Sequence, residues 1–166
     1  MVLIRRNLPL FQIEEVGVQL GLAIPDSHAT LYPTARIGIH PTSGYGTEIQ
    51  NPEFSLTVFF RRFNIPLQET YLANPPSNCS SWILEQLSKD RDILVCFNHQ
   101  ELFGGDANWG HVCLIESVTD SEIVLVDPSP QVPKFRSVSI NSLNQAIEHH
   151  GESNRSGFWV LHSIDD

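Results

Sequence analysis

The chain is poor in several features that would have placed it in a large class. Basic residues are few: 10 Lys and Arg stand against 19 Asp and Glu, giving a formal net charge of −9. A nucleic-acid footprint needs a basic face, so nucleic acid is not expected as a partner. No apolar run has the length of a membrane span, so no membrane partner is expected either. The N-terminal "MVLIRRNLPLFQIEE" lacks the order of a secretory leader, because its Arg pair follows its apolar residues. Cysteine is scarce and odd in number, with Cys79, Cys96 and Cys113 alone. No Cys-x-x-Cys pair and no Cys/His cluster stands in the sequence, so neither a metal nor another cofactor is expected. No Lys-Ser/Thr follows a Gly-rich loop, which argues against a phosphate loop. Repeats and low-complexity tracts are absent. Together these absences suggest a reducing, cytoplasmic protein.

What is there suits a folded domain. Apolar residues make up 41% of the 166 and charged residues 17%, a composition that can bury a core. The length favours one domain over residues 1–166. "EEVGVQLGLAI" reads as a short helix weakened by two glycines. Residues 25–52 are rich in Pro, Gly, Ser and Thr and read as loop, with a strand at "ARIGI". "NPEFSLTVFFRRFNI" predicts a helix capped by Asn51, with Pro52 first and Phe54, Val58 and Phe59 facing inward. "PLQETYLA" predicts a strand. "NCSSWILEQL" predicts a helix capped by Ser77, Asn78 or Ser80, with Trp82, Ile83 and Leu87 inward.

Strand signals then dominate: "DILVCFNH", "HVCLIES", "SEIVLVDP", "RSVSI" and "GFWVLHS". "QELFGGDANWG" reads as a Gly-rich loop that could cover a cleft, and "NSLNQAIEHHG" as a helix capped by Asn141 or Ser142 and closed by Gly151. His149 and His150 read as solvated caps of that helix. Helices followed by antiparallel strands make an α+β fold, with helices packed on an antiparallel sheet.

The stretch "NWGHVCLIESVTDSEIVLVDP" carries a His at the start of one strand and an Asp at the end of the next. His111, Cys113 and Ile115 share one strand face, and Ile123, Leu125 and Asp127 share another. With a turn centred on Thr119, Ile115 faces Ile123, Cys113 faces Leu125 and His111 faces Asp127. Directly opposed Cβ atoms lie roughly 4.5–5.5 Å apart, within reach of an imidazole–carboxylate hydrogen bond. Such a carboxylate fixes the imidazole tautomer and leaves the other ring nitrogen free to take a proton from a nucleophile. A His–Asp pair that merely ends a hairpin is the plainer alternative. Trp109 could wall a substrate groove beside the His or simply pack.

From "WILEQLSKDRDILVCF" through "GGDANWGHVCLIES", "SEIVLVDP" and "INSLNQAIEHHG", about half of the chain resembles the papain-fold cysteine peptidases of the double-glycine, bacteriocin-processing type. "GYGTEIQNPEFSLTVFFRRFNIPLQE" resembles that family more weakly. The resemblance implies a papain-like fold, with His111 as general base, Asp127 as its orienter and Gln12 as an oxyanion-hole donor. It also implies a Cys near Val18, and none is there: no Cys precedes Cys79.

Three readings follow. The chain is a degenerate peptidase-like domain that binds a peptide or a protein partner. Alternatively it is an active cysteine hydrolase or acyltransferase using Cys79, whose place at a helix start would lower a thiol pKa. "SNCSSW" resembles the Asp-Cys-Ser stretch of cell-wall amidases of the same broad fold, though Cys79 lies closer to His111 than in those enzymes. A half-exposed loop Cys is the plainer reading of Cys79, and a core thiol the plainer reading of Cys113. The third is a non-catalytic interaction or immunity-type protein.

Overall fold

The computed structural model describes residues 1–38, 45–49, 51–106 and 108–166. Ile39 of the expected strand, Gly44 and Gln50 of the weaker family stretch, and Ala107 of the Gly-rich loop lie outside the described residues. The chain divides into two compact units, Met1–Gln68 and Glu69–Asp166.

The first unit holds helices α1 (Val2–Arg5), α2 (Ile13–Gln19) and α3 (Leu56–Arg62), with a short parallel pair, β1 (Ala23–Ile24) and β2 (Arg36–Ile37). Helix α2 starts one residue before the expected "EEVGVQLGLAI" and stops well short of its end. Gly21 takes φ +72, and a Cβ there would stand 2.9 Å from the Phe54 ring. The chain therefore leaves the helix and its last apolar residues, Ala23 and Ile24, become strand. The helix expected from Asn51 is split in two. Asn51 caps a single turn over Pro52–Phe54, and the Ser55 hydroxyl then accepts from Val58 N to start α3 afresh. Two capping side chains four residues apart give two nucleation points. Phe59 and Phe60 are the buried residues of α3, so Phe60 belongs to the inward set in place of Val58.

The second unit is a six-stranded sheet with helices on it. Its elements are β3 (Leu67–Leu72, crossing the boundary), α4 (Cys79–Ser88), β4 (Asp92–Asn98), α5 (His99–Phe103), β5 (Gly110–Val118), β6 (Glu122–Val126), β7 (Phe135–Ser139), α6 (Ile140–His150) and β8 (Gly157–Ser163). The strand order is β3-β8-β4-β5-β6-β7, and the pairs from β8 to β7 are antiparallel. This is the expected α+β architecture. One sheet face carries Val95, Phe97, Ile115, Ile123, Leu125 and Phe158, packed with Ile83 of α4 and Leu143, Ala146 and Ile147 of α6. Ser139, rather than Asn141 or Ser142, caps α6, its hydroxyl accepting from Ser142 N at 3.0 Å, and Gly151 closes it at φ +84. The stretch expected as Gly-rich loop opens with the short helix α5, because the Asn98 side chain caps it by accepting from Glu101 N.

Where β8 begins, Gly157 takes φ +118, and a Cβ there would lie 2.3 Å from the Leu72 carbonyl oxygen and 2.7 Å from that of Ala73. Both obstacles are backbone and cannot swing aside. Gly157→Ala is expected to cost at least about 1–3 kcal/mol, read as a lower urea midpoint with unchanged slope.

Candidate functional site

The site is built on the β5–β6 hairpin, whose register differs from the expected one. Thr119 N donates to Glu122 O, and the Thr119 hydroxyl accepts from Glu122 N at 3.1 Å, so Asp120 and Ser121 form the tip. Val118 then pairs with Ile123 and Ser117 with Val124. Carried on unbroken, that register would set Cys113 opposite Pro128 and turn Asp127 to the wrong face. A bulge between Ile115 and Ser117 prevents this, and Ile115 pairs with Leu125 and Leu114 with Val126. By continuation Cys113, not His111, stands opposite Asp127. His111 is its diagonal neighbour on the same face, still within reach for a long side chain.

The Asp127 side chain is 1% exposed and makes three bonds. Its Oδ1 accepts from His111 Nε2 at 3.0 Å and from Ser129 N at 2.9 Å, and its Oδ2 accepts from Arg136 Nη1 at 3.3 Å. Burial alone would raise the Asp127 pKa, but the Ser129 amide, His111 and Arg136 outweigh it and hold the carboxyl below its usual range. Asp127 is therefore ionised at neutral pH and can only accept, so the proton on the His111–Asp127 bond belongs to Nε2. In the neutral imidazole Nδ1 is then an acceptor, on a side chain 17% exposed. The hairpin thus holds a His–Asp pair in the orientation that general-base chemistry uses.

Aromatic rings and a guanidinium stand around the imidazole. The ring centroids of His99, Phe97 and Phe103 lie 5.2, 5.8 and 6.5 Å from that of His111. The Arg136 guanidinium lies 3.2 Å from the Phe103 ring centre. Asn98 donates from Nδ2 to Asn108 Oδ1 at 2.8 Å, and His99 N donates to Trp109 O at 2.9 Å, tying α5 to the loop ahead of β5. Trp109 is 59% exposed with its ring 6.1 Å from His99, so it stands at the rim rather than packed away. A Cβ on Gly110 would meet His150 Nε2 at 2.5 Å. His150 therefore packs beside Gly110 and is half-buried rather than the solvated cap expected. His149 remains exposed, 3.6 Å from Glu101.

Cys79 departs furthest from expectation, whereas Cys96 and Cys113 are buried strand thiols and Cys113 is the core thiol of its plainer reading. Cys79 is the first residue of α4, as an attacking Cys would be, yet it is 5% exposed and part of the core, not half-exposed in a loop. Burial pushes its thiol up, opposing the effect expected of a helix start. Cys96 is pushed up to about 12 by burial, and Cys113 to about 12 by burial and then by the Asp127 charge. Gln12 precedes α2 in the first unit, exposed and without a capping bond, and Val18 lies within that helix.

One metal-competent group does assemble, although no Cys/His cluster is visible in the sequence. One ligand atom each from His111, Cys113 and Asp127 all lie within 4.8 Å of one another. Two come from alternate positions of one strand and the third from its neighbour, a spacing that no linear motif displays. Arg136 was not among the expected site residues. The alternation Arg136, Val138 in "FRSVSI" is its only signal. His99 is the other addition.

No known protein family matches the chain, and neither does any curated protein or solved structure. Among the described residues no helix is long and apolar enough to cross a membrane.

Acid stability follows from these environments. His99 is lowered by burial and then by the charges of His111 and Arg136, its Nδ1 buried without a partner; His150 is lowered by burial and then by His149. A histidine held below its unfolded value binds its proton first in the unfolded chain. Its stabilising contribution is full above about pH 6.5 and is lost as pH falls from there through the folded value. Urea midpoints are expected to fall as pH drops from about 6.5, with a shallower fall in His99→Phe. A further loss is expected as pH falls from about 3.9 through the lower folded value of Asp127. At neutral pH, Asp127→Ala leaves its donors unpaired and is expected to cost about 1–3 kcal/mol.

Proposed function

We propose that this protein is a degenerate cysteine-peptidase-like domain with a papain-like fold. It holds a peptide or a protein partner at the rim of Trp109, His99 and His111 without cleaving it. One observation carries this reading: His111 and Asp127 are bonded as a base and its orienter, while Cys79, Cys96 and Cys113 are all buried. A thiol hydrolase needs a thiolate that can reach an acyl carbonyl. None of the three is exposed, and every one is shifted away from the thiolate form. The features suited to binding are outside: an exposed Trp, the residue type most enriched at binding hot spots, and the His111 Nδ1 acceptor, suited to a peptide N–H.

Two measurements test it. Iodoacetamide labelling, resolved by mass spectrometry across neutral pH, is expected to be slow at all three cysteines and unchanged in His111→Ala. Rapid labelling of one cysteine on the acid side of neutrality, abolished in that variant, would establish an active thiol and overturn the reading. Panning a displayed random-peptide library in the presence of a chelator is expected to enrich binders that weaken about 10–30-fold on Trp109→Ala. No enrichment, or binders indifferent to Trp109, would equally sink it.

A further inference from the structure

We propose that His111, Cys113 and Asp127 form a binding site for a thiophilic divalent cation of the zinc class. The proposal stands on the geometry of the hairpin and does not rest on peptide binding. Three different donor atoms, one nitrogen, one sulfur and one oxygen, lie within 4.8 Å of one another. Zinc bonds of about 2.0–2.3 Å in a tetrahedral shell place donor atoms roughly 3.3–3.8 Å apart. Closing the group by about 1 Å is therefore enough, a shift that side-chain rotation can supply.

The donor set is selective. A thiolate with an imidazole favours zinc, cobalt and similar ions, whereas calcium and magnesium prefer oxygen. Cys113 and Asp127 lie in the interior, and His111 stands at the more open edge. The carboxylate is already held from outside as a ligand should be: Arg136 donates to Oδ2, leaving Oδ1 toward His111, and Ser129 N fixes the Oδ1 side. The Arg136 guanidinium is a nearby opposing charge. It lies on the far oxygen and over the Phe103 ring.

The protons balance simply. On binding, the Cys113 thiol proton leaves to solvent, and the thiolate and the Asp127 carboxylate neutralise the cation's two charges. The His111 proton moves from Nε2 to Nδ1, freeing Nε2 to coordinate.

Titration of the whole chain with Co²⁺, a spectroscopic stand-in for Zn²⁺, tests this. One equivalent is expected to bind, with a thiolate-to-cobalt charge-transfer band that Zn²⁺ abolishes. Cys113→Ser is expected to remove the band, and His111→Phe to weaken Co²⁺ binding at least about tenfold. Cys96→Ser, which removes another buried thiol, on β4, is expected to keep the band. Absence of the band in folded wild-type protein would overturn the proposal, as would a band that His111→Phe leaves unchanged. Should Cys113→Ser not fold, His111→Phe at the open edge decides the matter by itself. A missing band leaves the panning result in chelator untouched, so the two readings fail separately.

Discussion

A carboxylate buried to 1% exposure at the end of β6 is the constraint on which the second unit's open end depends. An ionised group taken out of water must be repaid with donors. Asp127 draws them from three places: His111 on β5, the Ser129 amide just past β6, and Arg136 on β7. The two strands beside β6 each reach in diagonally, so the strand order β5-β6-β7 is also the order of the network. Arg136 in turn lies over Phe103, and Phe103 ends the short helix that Asn98 starts. One buried charge therefore organises a sheet edge, a loop and a helix.

How much of this was legible depends on parity. Alternation alone placed His111 with Cys113 and Ile115, and Asp127 with Ile123 and Leu125, and all of these do share the core-side face. It could not place the turn. The turn closes at Asp120 and Ser121 and shifts the pairing by three residues, and the bulge between Ile115 and Ser117 takes back one, which leaves an even shift and so restores the face. Bulge and turn err in opposite directions, so the His–Asp contact survives while its register does not. The bulge also explains why the inward sequence runs Cys113, Ile115, Val118, with a spacing of three that strict alternation misses.

The strands and the late helix were readable because their periods are strong and their ends carry Gly, Asn or Ser. The first unit was less so: its helix limits turn on Gly21 meeting Phe54 and on two caps in quick succession, which are contacts rather than patterns. The state of Cys79 was equally hidden. A cysteine at a helix start reads the same whether it faces solvent or core. Only the packing of α4 onto the sheet, with Ile83 fully buried a turn later, turns Cys79 inward. Local sequence set its helix position, and tertiary packing set its chemistry.

The two ring nitrogens of His111 link the interior of this site to its rim. With Nε2–H given to Asp127, Nδ1 accepts, and a peptide held as proposed would meet an acceptor there. With Nε2 on a cation, the proton resides on Nδ1, and the same rim atom becomes a donor. A cation bound inside would therefore reverse the hydrogen-bond polarity that a partner meets outside, without any movement of the backbone. That coupling needs nothing beyond the tautomer of one imidazole. It is available because Cys113 stands opposite Asp127 while His111, one pleat farther out, reaches both the buried carboxylate and the solvent.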